Sequence, residues 1–268
     1  MKIALSQMNI EFENKEKNKE KCLCFIKEAK DKACDLVIFP EMTLTGFSMN
    51  TKEIAEVNKE TINWFKSKAC NYNIYLGFGH VVKAKEKCEN RFTIVSPDNK
   101  ELLSYAKIHP FSYSLEDKYY KGGNSIFFTE IKDCIASPFI CYDLRFPEIF
   151  QIASKKCHLI TVAANWPKSR RDNWITLLKA RAIENQCYVA GVNTVGFING
   201  YEYFGDSLII DPIGRVIAKA EDKEELLIAE IDINEVLRYR DHFPIKRDRR
   251  EELYKTITAK NRMGQSSI

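Results

Sequence analysis

Short apolar runs that alternate with longer amphipathic stretches constrain the fold of this chain most strongly. The run Leu36-Val37-Ile38-Phe39 is apolar at every position and ends at Pro40. Such a run is typical of a strand buried on both faces, and proline cannot extend it. Residues 14–32, which precede it, carry apolar side chains at helical spacing. Strands connected by helices in this way predict an α/β fold.

The same reading extends over the whole chain. Further strands are predicted at residues 3–8, 74–82, 92–96, 102–106, 126–129, 135–140, 159–163, 188–193, 207–210, 216–219 and 226–231, and further helices at 61–70, 146–156, 172–186 and from Ile233, with Asp232 as its N-cap. Strand–helix units on both sides of additional hairpins predict two sheets with helices outside. Because no linker, repeat or low-complexity segment interrupts the pattern, residues 1–268 are predicted to form one domain.

Charge and hydropathy argue against nucleic-acid and membrane partners. The net charge is +4, from 41 Lys plus Arg against 37 Asp plus Glu, and the signs are interleaved. The densest basic cluster comprises Lys246, Arg247, Arg249 and Arg250, is interrupted by Asp248, and is interpreted as a surface or subunit-contact segment. No apolar run approaches the roughly 18 residues of a membrane span, and no signal-peptide pattern opens the chain. We therefore expect a cytoplasmic protein.

Cysteine and histidine spacing indicates reduced thiols and no metal site. The nine cysteines are scattered through predicted strands and helices, without a C-x-x-C pair. The four histidines are isolated, and no H-E-x-x-H motif is present. We expect neither a metal nor an organic cofactor.

Three polar residues follow predicted buried strands, where α/β sheets present functional groups. They are Glu41, Lys107 and Cys141. Each alone has an ordinary structural explanation: a cysteine after an apolar strand is usually a buried core residue, a glutamate after proline suits a helix start, and a lysine at a strand end is usually solvated.

The segments around these residues resemble the three motifs of the carbon–nitrogen hydrolase (nitrilase) superfamily, in the family's order. They read Phe39-Pro40-Glu41-Met42-Thr43-Leu44-Thr45-Gly46-Phe47, Tyr105-Ala106-Lys107-Ile108-His109 and Cys141-Tyr142-Asp143-Leu144-Arg145-Phe146-Pro147-Glu148. The resemblance continues through residues 178–186 and 205–212 and covers the whole chain. It implies a four-layer αββα sandwich and a homodimer or larger assembly, to which residues 232–268 are expected to contribute contacts.

The resemblance also implies a catalytic set. Cys141 would attack an amide carbon, Glu41 would act as general base, and Lys107 would lower the thiol pKa and donate to the oxyanion. Members of the superfamily carry a second acid in the loop after the lysine. Glu116 fits that position best, with Asp117 as the competitor and an ordinary surface acid as the alternative.

Substrate-binding roles are expected for Arg145, Tyr142, Asn165 and Trp166. Arg145 lies four residues after the nucleophile, at the predicted start of the following helix, and could bind a substrate carboxylate bidentately. The alternative is a structural ion pair with Glu148 or another acid. Three further cations, Lys168, Arg170 and Arg171, would add positive charge for an acidic substrate.

The stretch Ala163-Ala164-Asn165-Trp166-Pro167, followed by Trp174 and by residues 180–186, resembles the bacterial omega-amidases. Those enzymes release ammonia from 2-oxoglutaramate or 2-oxosuccinamate. The small-molecule substrate is therefore expected to be a carboxylate-bearing amide. Deaminated glutathione and other small amides or carbamoyl compounds are the alternatives within the superfamily. A nitrile substrate has no support in the sequence. A catalytically silent scaffold would be expected to lack Glu41, Lys107 or Cys141, and all three are present.

Overall fold

The computed structural model describes residues 1–263, and the side chains of residues 1–257. Its strands are β1 (Lys2–Gln7), β2 (Leu36–Ile38), β3 (Tyr75–Lys83), β4 (Cys88–Val95), β5 (Glu101–Ala106), β6 (Thr129–Ile131), β7 (Cys134–Ile140), β8 (Leu159–Ala164), β9 (Tyr188–Asn193), β10 (Val195–Ile198), β11 (Tyr201–Phe204), β12 (Leu208–Ile210), β13 (Val216–Lys219) and β14 (Glu225–Glu230). Its α-helices are α1 (Lys15–Asp31), α2 (Thr51–Ile54), α3 (Glu60–Tyr72), α4 (Glu116–Tyr119), α5 (Pro147–Ala153), α6 (Arg171–Asn185), α7 (Ile233–His242) and α8 (Glu251–Met263). Short 3₁₀ helices cover Ser112–Ser114, Cys141–Arg145 and Lys168–Arg170.

Two mixed six-stranded sheets carry the same succession of strand pairs. The first has the order β14-β1-β2-β3-β4-β5, with parallel pairs only between β1, β2 and β3. The second has the order β6-β7-β8-β9-β12-β13, with parallel pairs only between β7, β8 and β9. Strands β2 and β8 therefore occupy matching central places in the two sheets.

The sheets pack face to face, and helices cover their outer faces. Alternation along β1 shows the layering: Ile3 and Leu5 belong to the core shared by the two sheets, whereas Ala4 faces the layer under α1 and α3. On the second sheet, α6 packs against β9 and β12 and also contacts α5. The predicted αββα sandwich is confirmed.

Local sequence signals account for the ends of several elements. Asn14 caps α1 by accepting a hydrogen bond from the Lys17 amide. Asp232 caps α7 in the same way, through the Asn234 amide, as predicted. The described helices include none long and apolar enough to span a bilayer.

Some predicted boundaries were wrong. The strand expected at 126–129 lies instead at Thr129–Ile131, because its antiparallel pairing with β7 is set by the turn at Lys132 and Asp133. The helix expected at 146–156 is shorter, ending at Ala153. The hairpin β10–β11 and helix α8 were not predicted. Residues 264–268, part of the expected subunit-contact segment, lie outside the described residues.

Candidate active site

Strand ends from both sheets meet at one place. Glu41 follows β2, Lys107 follows β5, and Cys141 follows β7, so the structure brings the three predicted catalytic residues together. Cys141 opens a 3₁₀ helix with φ of 44°. A non-glycine residue in this left-handed region is strained by about 1–3 kcal/mol, a feature often found at functional sites.

Lys107 lies between two buried carboxylates. Its Nζ is 2.9 Å from Glu41 Oε1, and 3.1 and 2.8 Å from the two carboxylate oxygens of Glu116. All three side chains are at most 1% exposed. Burial alone would lower the pKa of Lys107, but Glu116 and Glu41 raise it well above its usual value. Lys107 therefore remains an ammonium.

Glu116 is the acid that the structure places in the cluster. It lies in the single turn α4, where burial raises the pKa of its carboxyl group against the opposing effect of Lys107. Asp117, the competing candidate, is exposed. The interpretation of Glu116 as an ordinary surface acid was wrong, because its side chain is fully buried.

Glu41 is held from both sheets. The Asn165 amide donates to Glu41 Oε2 at 3.0 Å, and Asn165 Nδ2 donates to the Glu41 carbonyl at 2.7 Å. The β3 backbone also passes close by: a Cβ added at Gly79 would lie 2.3 Å from the Met42 nitrogen. Only glycine allows this approach, so the position of Glu41 depends on β3 as well as on its own strand.

Asn90 is a member of the cluster that the sequence reading missed. It lies on β4, and its Nδ2 donates to Glu41 Oε1 at 2.8 Å and to Glu116 Oε1 at 3.1 Å. Its neighbours Glu89 and Arg91 are charged, and the predicted strand began only at Phe92, so the sequence offered no signal for a buried amide at this position.

The Cys141 thiol has a different electrostatic setting from the one expected. Burial and the neighbouring Glu41 raise its pKa well above the usual value, and Lys107 only opposes that rise. Lys107 does lower the pKa of the thiol, as expected, but burial and Glu41 outweigh this effect. Cys141 is therefore a thiol at rest, with the Glu41 carboxylate beside it.

Asp143 ties the nucleophile turn to the lysine segment. Its carboxylate accepts hydrogen bonds from the Tyr105 hydroxyl at 2.7 Å, the Ile140 amide at 3.1 Å and the His109 amide at 2.9 Å. Asp143 is fully buried, so this network fixes the turn that carries Cys141 relative to the segment that carries Lys107.

A pocket of about 150 Å³ opens above Cys141 and Lys107. Its wall includes Arg145, Tyr142, Asn165 and Trp166, the four residues for which substrate-binding roles were expected, together with Arg170. Aromatic side chains that the sequence reading did not select complete the wall: Phe47, Phe111, Tyr113, Tyr201 and Tyr203. Tyr201 and Tyr203 come from the unpredicted hairpin β10–β11, whose short strands gave only a weak pattern.

Two guanidinium groups face this pocket without a carboxylate partner among the described residues. Arg145 donates to Asn173 Oδ1 at 3.2 Å and lies 5.0 Å from the centre of a Trp166 ring. Arg170 lies 5.2 Å from the Phe111 ring centre. The alternative for Arg145, a structural ion pair with Glu148 or another acid, is therefore not formed among the described residues. Arg145 is the last residue of the 3₁₀ helix that begins at Cys141, whereas α5 begins only at Pro147. Arg145 therefore does not lie at the start of the following helix, where it was expected.

The other two expected cations are paired elsewhere. Lys168 binds Glu202 at 2.8 Å, and Arg171 binds Asp206 at 2.5 Å. Neither lines the pocket above Cys141. Of the basic residues 168, 170 and 171, only Arg170 contributes charge to that wall.

Taken as chemistry, the cluster offers a thiol, a carboxylate base and a fixed cation at the end of a small pocket. Within the described chain, no group of three or more His, Cys, Asp or Glu side chains is arranged to hold a metal ion. The donor set fits nucleophilic attack on a carbonyl carbon with general-base assistance.

Comparison with known proteins identifies a family whose chemistry agrees with this donor set. The family model described as carbon-nitrogen hydrolase matches residues 2–241. A 2-oxoglutaramate amidase of Bacillus subtilis (strain 168) is 35% identical, over 94% of this chain and 98% of its own. The omega-amidase YafV of Yersinia enterocolitica is 38% identical, over 80% of this chain and 84% of its own.

A solved structure shows the same fold. It is a CN-hydrolase superfamily protein of Xanthomonas campestris with an arsenic adduct in its active site, 29% identical, with a TM-score of 0.88 over 93% of this chain and 97% of its own. Family model, relatives and architecture agree, and this chain belongs to the carbon–nitrogen hydrolase family, as an enzyme that hydrolyses non-peptide amides.

Proposed function

We propose that this enzyme is an omega-amidase that hydrolyses the terminal amide of 2-oxoglutaramate or 2-oxosuccinamate to the 2-oxo dicarboxylate and ammonia. The observation that carries the proposal is the pair of guanidinium groups, Arg145 and Arg170, in the pocket that contains Cys141. A buried or partly buried cation without a carboxylate partner favours an anionic ligand. The names of the Bacillus and Yersinia relatives support the same substrate class.

The first half-reaction forms a thioester. Glu41 takes the proton of Cys141 as the sulfur bonds to the amide carbon. Lys107 and the Tyr142 backbone amide donate to the resulting oxyanion, an interaction whose loss typically costs about 10²–10³ in rate. The carbon–nitrogen bond then breaks, and Glu41 returns its proton to the leaving nitrogen, which departs as ammonia.

The second half-reaction releases the acid. Water loses a proton to Glu41 as its oxygen bonds to the thioester carbon. The carbon–sulfur bond then breaks, and the proton held by Glu41 returns to the sulfur of Cys141. Glu116 keeps the Lys107 ammonium in place throughout.

No step requires a metal or an organic cofactor, so activity should survive exhaustive chelation.

Ammonia release from a small panel tests the substrate. The panel contains 2-oxoglutaramate, 2-oxosuccinamate, deaminated glutathione, glutamine, an N-carbamoyl amino acid and an uncharged aliphatic amide. We expect the highest kcat/KM for one of the two 2-oxo acid amides. A higher value for deaminated glutathione, the carbamoyl compound or the uncharged amide would overturn the assignment.

Intact mass spectrometry tests the intermediate. Rapid quenching during turnover should reveal an acyl adduct on wild-type protein that is absent from Cys141→Ala. Peptide mapping should place it on Cys141. An adduct on another of the nine cysteines would move the nucleophile elsewhere.

The assembly proposed is a homodimer or larger homo-oligomer built from single-domain subunits of residues 1–268. Support comes from apolar side chains that are about half exposed on neighbouring helices: Ile152 of α5 and Ile183 of α6. Phe243, which follows α7, is similarly exposed, and its carbonyl accepts a hydrogen bond from Gln186 after α6. Residues 232–268 would thus contribute to the contact.

The nine cysteines are all free thiols, which supports a cytoplasmic location.

A further inference from the structure

Asn90 contacts three members of the buried cluster at once. Its Nδ2 donates to Glu41 Oε1 at 2.8 Å and to Glu116 Oε1 at 3.1 Å. Its backbone carbonyl accepts the Lys107 amide at 2.9 Å. The side chain is 2% exposed and does not line the pocket, so Asn90 does not contact the substrate.

The Asn90 amide shares its acceptors with the Lys107 ammonium. A lysine has three N–H donors. Those of Lys107 are used on Glu41 Oε1, Glu116 Oε1 and Glu116 Oε2. To donate to the substrate oxygen, Lys107 must release one of these bonds. If it releases either Oε1 atom, Asn90 Nδ2 remains as a donor to that oxygen.

The orientation of the Asn90 amide is costly and is fixed by charge. With Nδ2 directed at the two carboxylates, its Oδ1 is buried and has no hydrogen-bond partner among the described residues. A flipped amide would direct Oδ1 at two carboxylates, which is repulsive. The unpaired oxygen therefore indicates that donation to Glu41 and Glu116 outweighs the penalty of an unsatisfied acceptor.

We propose that Asn90 is a positioning residue that holds the Glu41 and Glu116 carboxylates in place while Lys107 redirects one N–H to the reacting oxygen. This inference rests on the proposed roles of Glu41, Lys107 and Cys141 in amide hydrolysis. It does not depend on which amide is the substrate.

The role has a signature in pH dependence. A donor to a carboxylate favours its charged form, so removing Asn90 Nδ2 should raise the pKa of Glu116 further and move the acidic limb of the rate profile to higher pH. Besides each other, the titratable and charged groups that face the two carboxylates are Lys107, Cys141, Tyr120 and Tyr203. All four are retained in an Asn90 variant.

The test compares Asn90→Leu and Asn90→Asp with wild type. Asp has the shape of Asn and keeps the test available if the leucine is not accommodated. Asn18→Leu is the matched control, since Asn18 is also fully buried but donates to the carbonyls of Glu11 and Leu44. Active fraction and Tm are recorded for every variant.

Two rates are measured across pH 4–9. One is turnover of 2-oxoglutaramate. The other is alkylation of Cys141 by iodoacetamide, followed at the Cys141 peptide, which needs no substrate and remains informative if the omega-amidase assignment fails.

We expect both Asn90 variants to lose roughly tenfold to a hundredfold in kcat, with KM changed less than about threefold, and the acidic limb of both rates to rise by about one pH unit. Asn18→Leu should lower Tm without moving either limb. The proposal is overturned if the Asn90 variants keep the wild-type limb, or if their loss matches a lower active fraction.

Discussion

Lys107 has two buried acid partners, and only one of them has a proposed role in proton transfer. Glu116 holds the ammonium through both of its carboxylate oxygens. We predict that Glu116→Gln lowers kcat by at least about tenfold, because a neutral amide binds an ammonium more weakly than a carboxylate does. Asp117→Asn, next to it but exposed, should stay within about twofold. Steady-state kinetics decide the ranking, and the reverse order would transfer the role to Asp117.

Arg145 and Arg170 should determine selectivity for anionic amides. Losing a charge-assisted contact to a carboxylate costs about 1.5–3 kcal/mol, so Arg145→Met or Arg170→Met should lower kcat/KM for 2-oxoglutaramate about tenfold to a hundredfold. Hydrolysis of an uncharged amide of similar length should change little. Arg145→Lys should restore little activity, since lysine lacks the planar fork.

Lys168→Met is the matched control for this experiment. It removes a nearby positive charge that is already paired with Glu202. Its selectivity should equal that of wild type. If Arg145→Met lowers kcat/KM for the charged and the uncharged amide by the same factor, Arg145 stabilises the fold and does not select the substrate.

The functional residues differ in how readily they can be predicted from the sequence. Glu41, Lys107 and Cys141 stand at the ends of apolar runs and inside recognisable motifs, so their proximity could be predicted. Asn90 could not, because its partners lie on other elements and its importance comes from hydrogen bonds across the sheet. That Arg170 and not Arg171 lines the pocket could not be predicted either. The two residues are adjacent, and the local helix geometry directs their side chains to different surfaces.

Among the secondary-structure elements, most of the buried apolar strands were predicted well, whereas the hairpin β10–β11 was not predicted. Strand β9 has the predicted bounds, and all six of its residues are buried. The exposed strand β13 also has its predicted bounds, since it follows the turn at residues 211–214. The hairpin β10–β11 has four-residue strands with exposed Phe197 and Tyr201, so no clear alternation marks it. Tertiary contacts rather than local pattern place such a segment beside the pocket.

The ladder of β3, β4 and β5 contains a histidine that should make stability depend on pH. His80 contacts Thr93 Oγ1 at 2.8 Å, and Thr93 in turn contacts Ser104. Burial lowers the pKa of His80 from 6.5 to about 4. Between these values the unfolded chain binds more protons than the folded chain, so this contribution to stability is complete above pH 6.5 and is lost as pH falls toward 4.

The expected loss from His80 at pH 5 is about 2 kcal/mol relative to pH 7. Urea unfolding at the two pH values measures it. The His80→Gln variant cannot take up this proton, and its stability should fall by about 2 kcal/mol less over the same interval. Equal pH dependence in the two proteins would show that His80 is not responsible.

For the whole molecule, the proposed subunit contact can be tested through its apolar side chains. Ile152→Glu combined with Ile183→Glu would place two carboxylates in the contact, where burial of unpaired charge is costly. We predict that sedimentation velocity shows an oligomer for wild type and a monomer for this variant. Val57→Glu, at a residue 80% exposed elsewhere on the surface, is the control and should not change the assembly.

The sequence pattern was sufficient to predict the class of fold, but it was less informative about which strands pair with each other. Alternating strands and helices predicted two covered sheets, whereas the αββα arrangement came from the family resemblance. The order of strands within each sheet depends on contacts between distant segments, such as β1 with β14. No local pattern specifies such partners, because hydrophobic periodicity fixes which face is buried and not which strand lies alongside.

The separate origin of the catalytic groups has a consequence for newly made protein. The first sheet and its loops supply Glu41, Lys107 and Glu116, while the second supplies Cys141, and the Asn165 amide joins the two at Glu41. A partly folded chain in which only one sheet has formed has either a base without a nucleophile or a thiol without a base. In the proposed mechanism, both sheets must therefore have formed before hydrolysis begins, and the measured activity of a preparation counts the molecules in which both have folded.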